Sequence, residues 1–177
     1  MFLYLAMIDS DADKSKFEIL YSEYKNLMYY TANRILRNSS DAEDTVHQAF
    51  LKVIEILDTI SSPRCHKTRA LLVTITEHKA IDLYREKQRR NVLPLAEEYV
   101  GAAPAAEIER LAERDTLAAA IAALPPRYRS VLLLRYDCGY SNAEIANILD
   151  TTEPNVRKLI QRAKEKLSAK LRGTEEP

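Results

Sequence analysis

The feature that most constrains the fold is the stretch from Leu124 to Leu171, where two apolar stripes at helical spacing flank a short polar turn. Ser141 and Glu144 form the pattern of a capping box, which predicts that a helix begins there. Thr152 is expected to cap the next helix, and Pro154 then falls in its first turn, where a missing N–H is harmless. The stretch therefore predicts a helix, a tight turn and a second helix.

The second helix of this pair is predicted to have an apolar side and a cationic side. Its inward stripe consists of Val156, Leu159, Ile160, Ala163 and Leu167. The side chains left outside are Asn155, Arg157, Lys158, Gln161, Arg162 and Lys164. Amide and guanidinium groups recognise base edges and cations bind phosphates, so this face favours a helix in the major groove of DNA. A basic face alone is more often a solvated surface, and the interpretation depends on the cap, turn, proline and cations occurring together.

Charge and composition divide the chain into two domains and a linker. The formal net charge is zero, which argues against indiscriminate binding to polyanions. Residues 92–123 carry 2 Lys/Arg against 6 Asp/Glu, whereas residues 124–177 carry 10 against 7. Residues 92–107 contain two prolines, a glycine and several alanines, which is typical of a flexible linker. We therefore expect domains at residues 11–91 and 108–172.

Helical periodicity also dominates the first domain. One helix is predicted from Asp11 to about Arg37, and Asp41 is predicted to cap a second one. A third is predicted from about Thr68 to Arg90, after a polar loop. Strand-like alternation is missing throughout the chain. The expected fold class is therefore all-α, with two small helical domains.

The second half of the third helix combines cations with an aromatic ring. Its sequence, HKAIDLYREKQRR, contains Lys79, Arg85, Lys87, Arg89 and Arg90 around Tyr84. This pattern suits single-stranded or distorted nucleic acid, because bases stack on rings while cations hold the backbone. The alternative is an ordinary charged helix end, which the helix dipole favours, with Glu77, Asp82 and Glu86 diluting the basic face.

Several classes of protein are disfavoured. The three glycines, Gly101, Gly139 and Gly173, cannot form a Gly-rich phosphate loop. The histidines His47, His66 and His78 have no metal-ligand spacing, and no set of nucleophile, base and orienting group is present. We therefore predict a protein that is not an enzyme and that has no metal site and no cofactor.

The cysteines and the opening residues indicate where the protein acts. Cys65 and Cys138 are far apart and are expected to be reduced thiols in a cytoplasmic protein. The opening segment MFLYLAMI is apolar but too short to span a membrane, and it lacks the basic flank of a secretory signal. It is expected to be the start of a strand or helix that packs on the first domain, without membrane insertion.

With these segments in place, the chain resembles bacterial RNA polymerase sigma factors of the sigma-70 family, in particular the extracytoplasmic-function type. DAEDTVHQAFLKV is similar to the second conserved region, whose helix docks on a coiled coil of the largest polymerase subunit. LLVTITEHKAIDLYREKQRR is similar to the adjoining segments that melt and read the promoter −10 element. LPPRYRSVLLLRY, GYSNAEIANIL and VRKLIQRAKEKL are similar to the fourth region, which reads the −35 element.

The resemblance implies a transcription initiation factor that binds core RNA polymerase and promoter DNA, and it allows an anti-sigma factor as a further partner. The polymerase-facing residues would be Asp41, Glu43, Asp44 and Gln48. The −35 element would be contacted by Arg135, Asn155, Arg157, Lys158, Gln161 and Arg162. The −10 strand would be held by the loop Ser61 to Lys67 and by His78, Lys79, Arg85, Arg89 and Arg90.

A helix-turn-helix regulator that binds duplex DNA without polymerase is the main alternative. It explains the C-terminal half equally well. It leaves DAEDTVHQAFLKV and the basic third helix without a role.

Overall fold

The computed structural model describes residues 2–90 and 116–172, which fall in two compact units, Met1–Pro94 and Leu95–Pro177. The helices of the first unit are α1 (Phe2–Leu5), α2 (Asp11–Leu36), α3 (Ser39–Glu55) and α4 (His66–Arg90), with a 3-10 turn at Leu57–Thr59. Those of the second are α5 (Thr116–Ala122), α6 (Pro126–Leu132), α7 (Asn142–Ile148) and α8 (Glu153–Arg172). The described residues contain no strand, and the predicted all-α class is confirmed. The predicted linker, and the predicted start of a helix at Ile108, lie outside the described residues.

An aromatic cluster forms the centre of the first unit, where α2, α3 and α4 pack against one another. Phe17 of α2 and Phe50 of α3 are completely buried, and the ring centroids of Tyr21 and Phe50 lie 4.9 Å apart. Tyr4 of α1 closes the cluster, because its hydroxyl forms a 2.6 Å hydrogen bond with Nδ1 of His47. Burial raises the pKa of the Tyr4 phenol, and the nearby Tyr21 adds to the shift. The opening segment is thus a short helix that packs on the domain, as expected.

Helix α3 begins three residues earlier than the sequence predicts. Arg37 adopts a left-handed conformation, with φ of 51°, and ends α2. The next residue, Asn38, is the N-cap, and its side-chain oxygen accepts a 3.0 Å hydrogen bond from the Asp41 amide. The prediction that Asp41 caps α3 is therefore wrong. Asn and Asp cap helices about equally well, and the left-handed turn at Arg37 places Asn38 first.

The loop before α4 is fixed to α2 and to the start of α4. The Tyr24 hydroxyl donates to the carbonyl of Pro63 at 3.0 Å, and Nε of Arg64 lies 2.7 Å from Oε1 of Glu23. The Thr68 hydroxyl donates to the carbonyl of Ser62 at 2.6 Å. The sequence predicts only that this loop is polar. These contacts fix its position beside α4.

In the second unit, α6 and α7 pack against the apolar side of α8. Val156, Leu159 and Ala163 are buried, which confirms the predicted inward stripe, while Ile160 and Leu167 are half-buried at its edges. Helix α6 is extended by a π-helical turn, Leu133–Asp137, which closes with a 2.9 Å bond from the Cys138 amide to the Leu133 carbonyl. Gly139, with φ of 81°, then allows the chain to reverse towards α7.

Arg129 is the largest side chain buried in the second unit, with 1% of its surface exposed. Its Nη1 donates to the carbonyl of Ala122, the last residue of α5, at 3.2 Å. A helix end leaves carbonyls without intrahelical partners, and a guanidinium is a strong donor for them. Arg129 therefore ties α5 to α6 across the break at Pro125 and Pro126.

The capping box predicted for α7 is present. The Glu144 amide donates to Oγ of Ser141 at 3.2 Å, and the Ser141 amide donates to Oε2 of Glu144 at 2.7 Å. Hydrogen bonds from Ser141 lower the pKa of the Glu144 carboxyl. Helix α8 also begins as expected at Glu153, directly after Thr152, with Pro154 in its first turn.

Ser141→Ala is expected to destabilise the second unit by about 0.5–2 kcal/mol, the usual effect of removing an N-cap hydroxyl. The carboxyl of Glu144 has a lowered pKa when folded, so its contribution is present above the unfolded pKa and is lost as pH falls through the folded pKa. Denaturation of the full chain at pH 7 and at pH values below about 4 should therefore show the difference from wild type shrinking in acid. Ser168→Ala, at an exposed position of α8, is the matched control and should leave stability nearly unchanged.

Candidate nucleic-acid interface

The outer face of α8 presents the side chains that the sequence assigns to duplex DNA. Asn155, Arg157, Lys158, Gln161 and Arg162 are all exposed. Because the apolar stripe is packed against α6 and α7, the helix has one orientation relative to its unit. Amides, guanidinium groups and an ammonium therefore lie together on the surface of a helix that the unit holds rigidly. This is the arrangement that insertion into a major groove requires.

The exposed side chains of α8 fall into two groups according to their partners. Three of them contact a side chain one helical turn away: Asn155 with Thr151 (3.4 Å), Arg157 with Glu153 (3.4 Å) and Gln161 with Glu165 (3.1 Å). Lys158 and Arg162 have no such partner among the described residues. The first group carries the planar groups suited to base edges, and the second consists of cations suited to phosphates.

Arg135 lies in the π-helical turn that extends α6. Its Nη1 donates to the carbonyl of Tyr140 at 2.9 Å, and its side chain remains exposed. Beside it in sequence, the exposed ring of Tyr136 lies under the Lys164 ammonium, 5.2 Å from the ring centroid. Lys166 lies in the same way 5.7 Å from the ring centroid of Tyr128. These cation–π pairs join residues distant in sequence, so no local sequence pattern predicts them.

The basic end of α4 is exposed, while its middle is partly covered. Arg85, Arg89 and Arg90 are exposed, whereas His78 and Lys79 are half-buried. Arg90 forms an ion pair with Glu86. Glu77 was expected to dilute the basic face, and this expectation is wrong, because only 3% of its surface is exposed. It points into the unit, so the charge on the outer face of α4 is more positive than the sequence alone suggests.

The loop at residues 61–67 leads directly into this basic helix. Cys65 occupies the N-cap position of α4, and its sulfur accepts a 3.4 Å hydrogen bond from the Thr68 amide. Hydrogen bonds from the Thr68 side chain and backbone lower the pKa of the Cys65 thiol. His66 and Lys67, which follow it, are exposed. The loop thus adds polar groups at the N-terminal end of α4, and the buried residues 71–77 separate them from the basic end of the helix.

The four residues assigned to polymerase lie on two different faces of α3. Asp41, Asp44 and Gln48 are spaced by three and four residues and share one face, since a helix turns about 100° per residue. Asp44 and Gln48 are exposed, and the half-buried Asp41 forms an ion pair with Lys87 of α4. Glu43 points to the other side.

Glu43 lines a cleft of about 470 Å³ between α2 and α3. The other lining residues are Tyr4, Tyr21, Lys25, Asn26, Tyr29, Val46 and His47. The Lys25 ammonium lies 5.3 Å from the ring centroid of Tyr21, so a cation already covers part of this aromatic wall. Among the described residues, no group of three His, Cys, Asp or Glu side chains is placed to hold a metal ion.

Comparison with known proteins decides the family. Residues 20–90 match the family model for sigma-70 region 2, and residues 114–167 match the model for sigma-70, region 4. The two matches together span well over half of the chain. The chain belongs to the sigma-70 family. The family predicted from the sequence is thus confirmed, and with it a role as a transcription initiation factor in a family of non-enzymatic transcription factors.

The relatives of this sigma-70 family protein are of the extracytoplasmic-function type, as predicted. "ECF RNA polymerase sigma factor SigW" of Bacillus subtilis is 28% identical over 172 residues, covering 90% of this chain and 91% of the relative. "ECF RNA polymerase sigma factor SigL" of Mycobacterium tuberculosis is 26% identical over 148 residues, covering 82% and 83%. A solved structure of CnrH in complex with the cytosolic domain of CnrY is 25% identical and covers 90% of this chain and 89% of CnrH, with a TM-score of 0.39.

None of the helices in residues 2–90 and 116–172 combines the length and apolar character needed to cross a membrane.

Proposed function

We propose that this chain binds core RNA polymerase through α3 and directs it to promoters by reading the −35 element with α8 and holding the unpaired −10 strand on α4. The observation that carries the −35 assignment is α8 itself. Its apolar stripe is buried, and all five side chains that it contributes to the assignment are exposed. Asn155, Arg157 and Gln161 are assigned to base edges, and Arg162 and Arg135 to phosphates. The resemblance implied that Lys158 also contacts bases, but we assign it to a phosphate, because its ammonium is a point charge without a planar pair of donors.

The −10 assignment uses the surface formed by the loop at residues 61–67 and α4. The unpaired strand lies along Arg85, Arg89 and Arg90, and an extruded base enters beside the half-buried His78 and Lys79. Extruding a base costs a few kcal/mol, which contacts between these cations and the separated strand offset. The fixed loop supports this role, because a surface that is already ordered loses little entropy when the strand binds.

The polymerase assignment uses the exposed side of α3. Asp44 and Gln48 offer polar contacts on one face, with Asp41 at its N-terminal end. Glu43 reaches the same partner only if that partner also enters the cleft between α2 and α3. Glu43 therefore lies at the edge of the proposed polymerase-binding surface, whose centre is formed by Asp44 and Gln48.

The two binding modules correspond to residues 11–91 and 108–172, joined through residues 92–107. Linking them raises avidity, because binding of one module increases the effective concentration of the other at its promoter element. Because core polymerase and promoter DNA are found in the bacterial cytoplasm, we expect the protein to act there. We also propose an anti-sigma factor as a regulatory partner of the protein.

Transcription from a bacterial genomic library tests the function directly. Core polymerase with the purified chain should initiate RNA synthesis at a restricted set of start sites that core polymerase alone does not use. The chain should also bind core polymerase stoichiometrically without DNA. A helix-turn-helix regulator would bind duplex DNA but fail both tests, and that result would overturn the proposal.

The double variant Arg85→Gln, Arg89→Gln is expected to weaken binding to an unpaired −10 strand and to reduce its salt dependence. Each lost phosphate contact on a single strand lowers the slope of log affinity against log salt by about 0.7, so the slope should fall by about 1.4. The measurement is binding of polymerase carrying each variant to fork-junction DNA across a salt series. Lys14→Gln, Lys25→Gln removes the same charge from α2 and is the matched control. An equal change in the control would show a general charge effect and contradict the −10 assignment.

A further inference from the structure

Glu153 is an acid at the first position of α8, next to the amides and cations that the helix presents to DNA. Its side chain is 46% exposed and lies one turn before Arg157, with 3.4 Å between Oε2 of Glu153 and Nη1 of Arg157. The first turns of a recognition helix are the part that reaches base edges. An acid in this position repels the phosphates of every DNA sequence. If the residue served only to raise the affinity for DNA, a positive side chain would be expected here.

We propose that Glu153 is a positioning residue for sequence discrimination, acting by holding the guanidinium of Arg157 towards the base edges; this rests on the −35 role of α8 proposed above. A guanidinium has five N–H donors in a fixed plane. Engaging Nη1 with Glu153 leaves the donors on the other edge for a bidentate contact with O6 and N7 of guanine. Without its carboxylate partner, an exposed arginine turns readily to a phosphate.

The electrostatics give Glu153 two opposite effects on binding. Its charge lowers affinity for all sequences, while its contact with Arg157 favours only those with the correct base. The difference between correct and incorrect sequences therefore grows, although absolute affinity falls. In water the exposed Glu153–Arg157 pair adds little to the stability of the helix. The helix dipole favours an acid at this position by about 0.3–1 kcal/mol, so the effect on folding should be small and the effect on sequence preference should be the main one.

Glu153→Gln is expected to raise affinity for incorrect sequences and to reduce discrimination at the Arg157 base about threefold to tenfold, in the lower part of the range of coupling between contacting side chains. The freed guanidinium gains a phosphate, so the slope of log affinity against log salt on those sequences should steepen by about 0.9. The measurement is selection from a randomised 20-base-pair duplex library by the full chain, followed by salt titrations on the selected and single-base-variant duplexes.

Glu165→Gln is the matched control. It removes an acid from the same helix without contact to Arg157, since Glu165 pairs with Gln161. It should raise general affinity as Glu153→Gln does, but it should leave preference at the Arg157 base unchanged. Thermal unfolding of each variant checks that the helix is intact.

The double variant Glu153→Gln, Arg157→Ala separates positioning from direct readout. If Glu153 acts through Arg157, its substitution has no further effect on preference once Arg157 is alanine. An equal effect in both backgrounds would mean that Glu153 reads a base itself, and no effect in either would mean that it reads nothing; both outcomes overturn the proposal. If Arg157→Ala alone leaves preference unchanged, the −35 assignment of α8 fails instead, so the two failures are distinguishable.

Discussion

Phe50→Ala is expected to lower the free energy of unfolding of the first unit by about 3–5 kcal/mol, the typical effect of removing a buried phenylalanine. Phe50 is fully buried, and its ring centroid lies 4.9 Å from that of Tyr21, 5.7 Å from that of Phe17 and 5.9 Å from that of Tyr4. Three aromatic neighbours surround the lost ring, and rings of this size cannot close the cavity without rearranging. Loss of this magnitude is a large share of the stability of an ordinary small domain.

Hydrogen exchange on the full chain locates the effect of Phe50→Ala. Protection of the amides in α2, α3 and α4 should fall, while protection in α6 to α8 should stay at the wild-type level. Tyr30→Ala is the matched control, because Tyr30 is 64% exposed and its removal opens no cavity. A stable first unit in the Phe50 variant would show that the aromatic cluster does not hold α1, α2 and α3 together.

Arg157→Ala is expected to reduce discrimination among −35 sequences by about 1–3 kcal/mol, which is the contribution of one bidentate base contact. The change should be confined to one position of the element, because a single side chain reaches a single base. Selection from randomised duplexes with the full chain and core polymerase measures it. The guanidinium is exposed, and within residues 2–90 and 116–172 its contact is that of Nη1 with Glu153, so its other donors are available to DNA.

Arg162→Ala is the matched control for Arg157→Ala. Arg162 is exposed on the same helix and is assigned to a phosphate, so its loss should weaken binding to all sequences alike. The slope of log affinity against log salt should become shallower by about 0.9. If the two variants behaved identically, the division of α8 into base-reading and phosphate-binding side chains would be wrong.

Local sequence patterns predicted the helices and the second helix pair closely. The capping box at Ser141 and Glu144, the proline in the first turn of α8 and the stripe through Val156 and Ala163 depend on residues within two turns of one another. Such interactions are encoded by spacing alone. The start of α3 was missed, because Asn38 and Asp41 are both good capping residues and the conformation of Arg37 decided between them.

Features that depend on tertiary contacts were not predictable in the same way. The burial of Glu77 and Arg129, two charged residues, contradicts what their residue type favours. That Glu43 lines a cleft follows from where α2 packs, which no pattern within α3 reveals. The Glu153–Arg157 pair, by contrast, was visible in the sequence as an acid four residues before an arginine on a helix. The prediction of a cationic face did not include this pair.

The ion pair between Asp41 and Lys87 joins the beginning of α3 to the basic end of α4. One carboxylate is thereby shared between the side assigned to polymerase and the side assigned to the opened strand. Neutralising Asp41 would leave Lys87 as an additional uncompensated cation beside Arg85 and Arg89. An Asp41→Asn protein would therefore differ from wild type in its affinity for DNA as well as in its affinity for polymerase. Genetic screens that score polymerase binding and DNA binding separately would then each identify substitutions of Asp41.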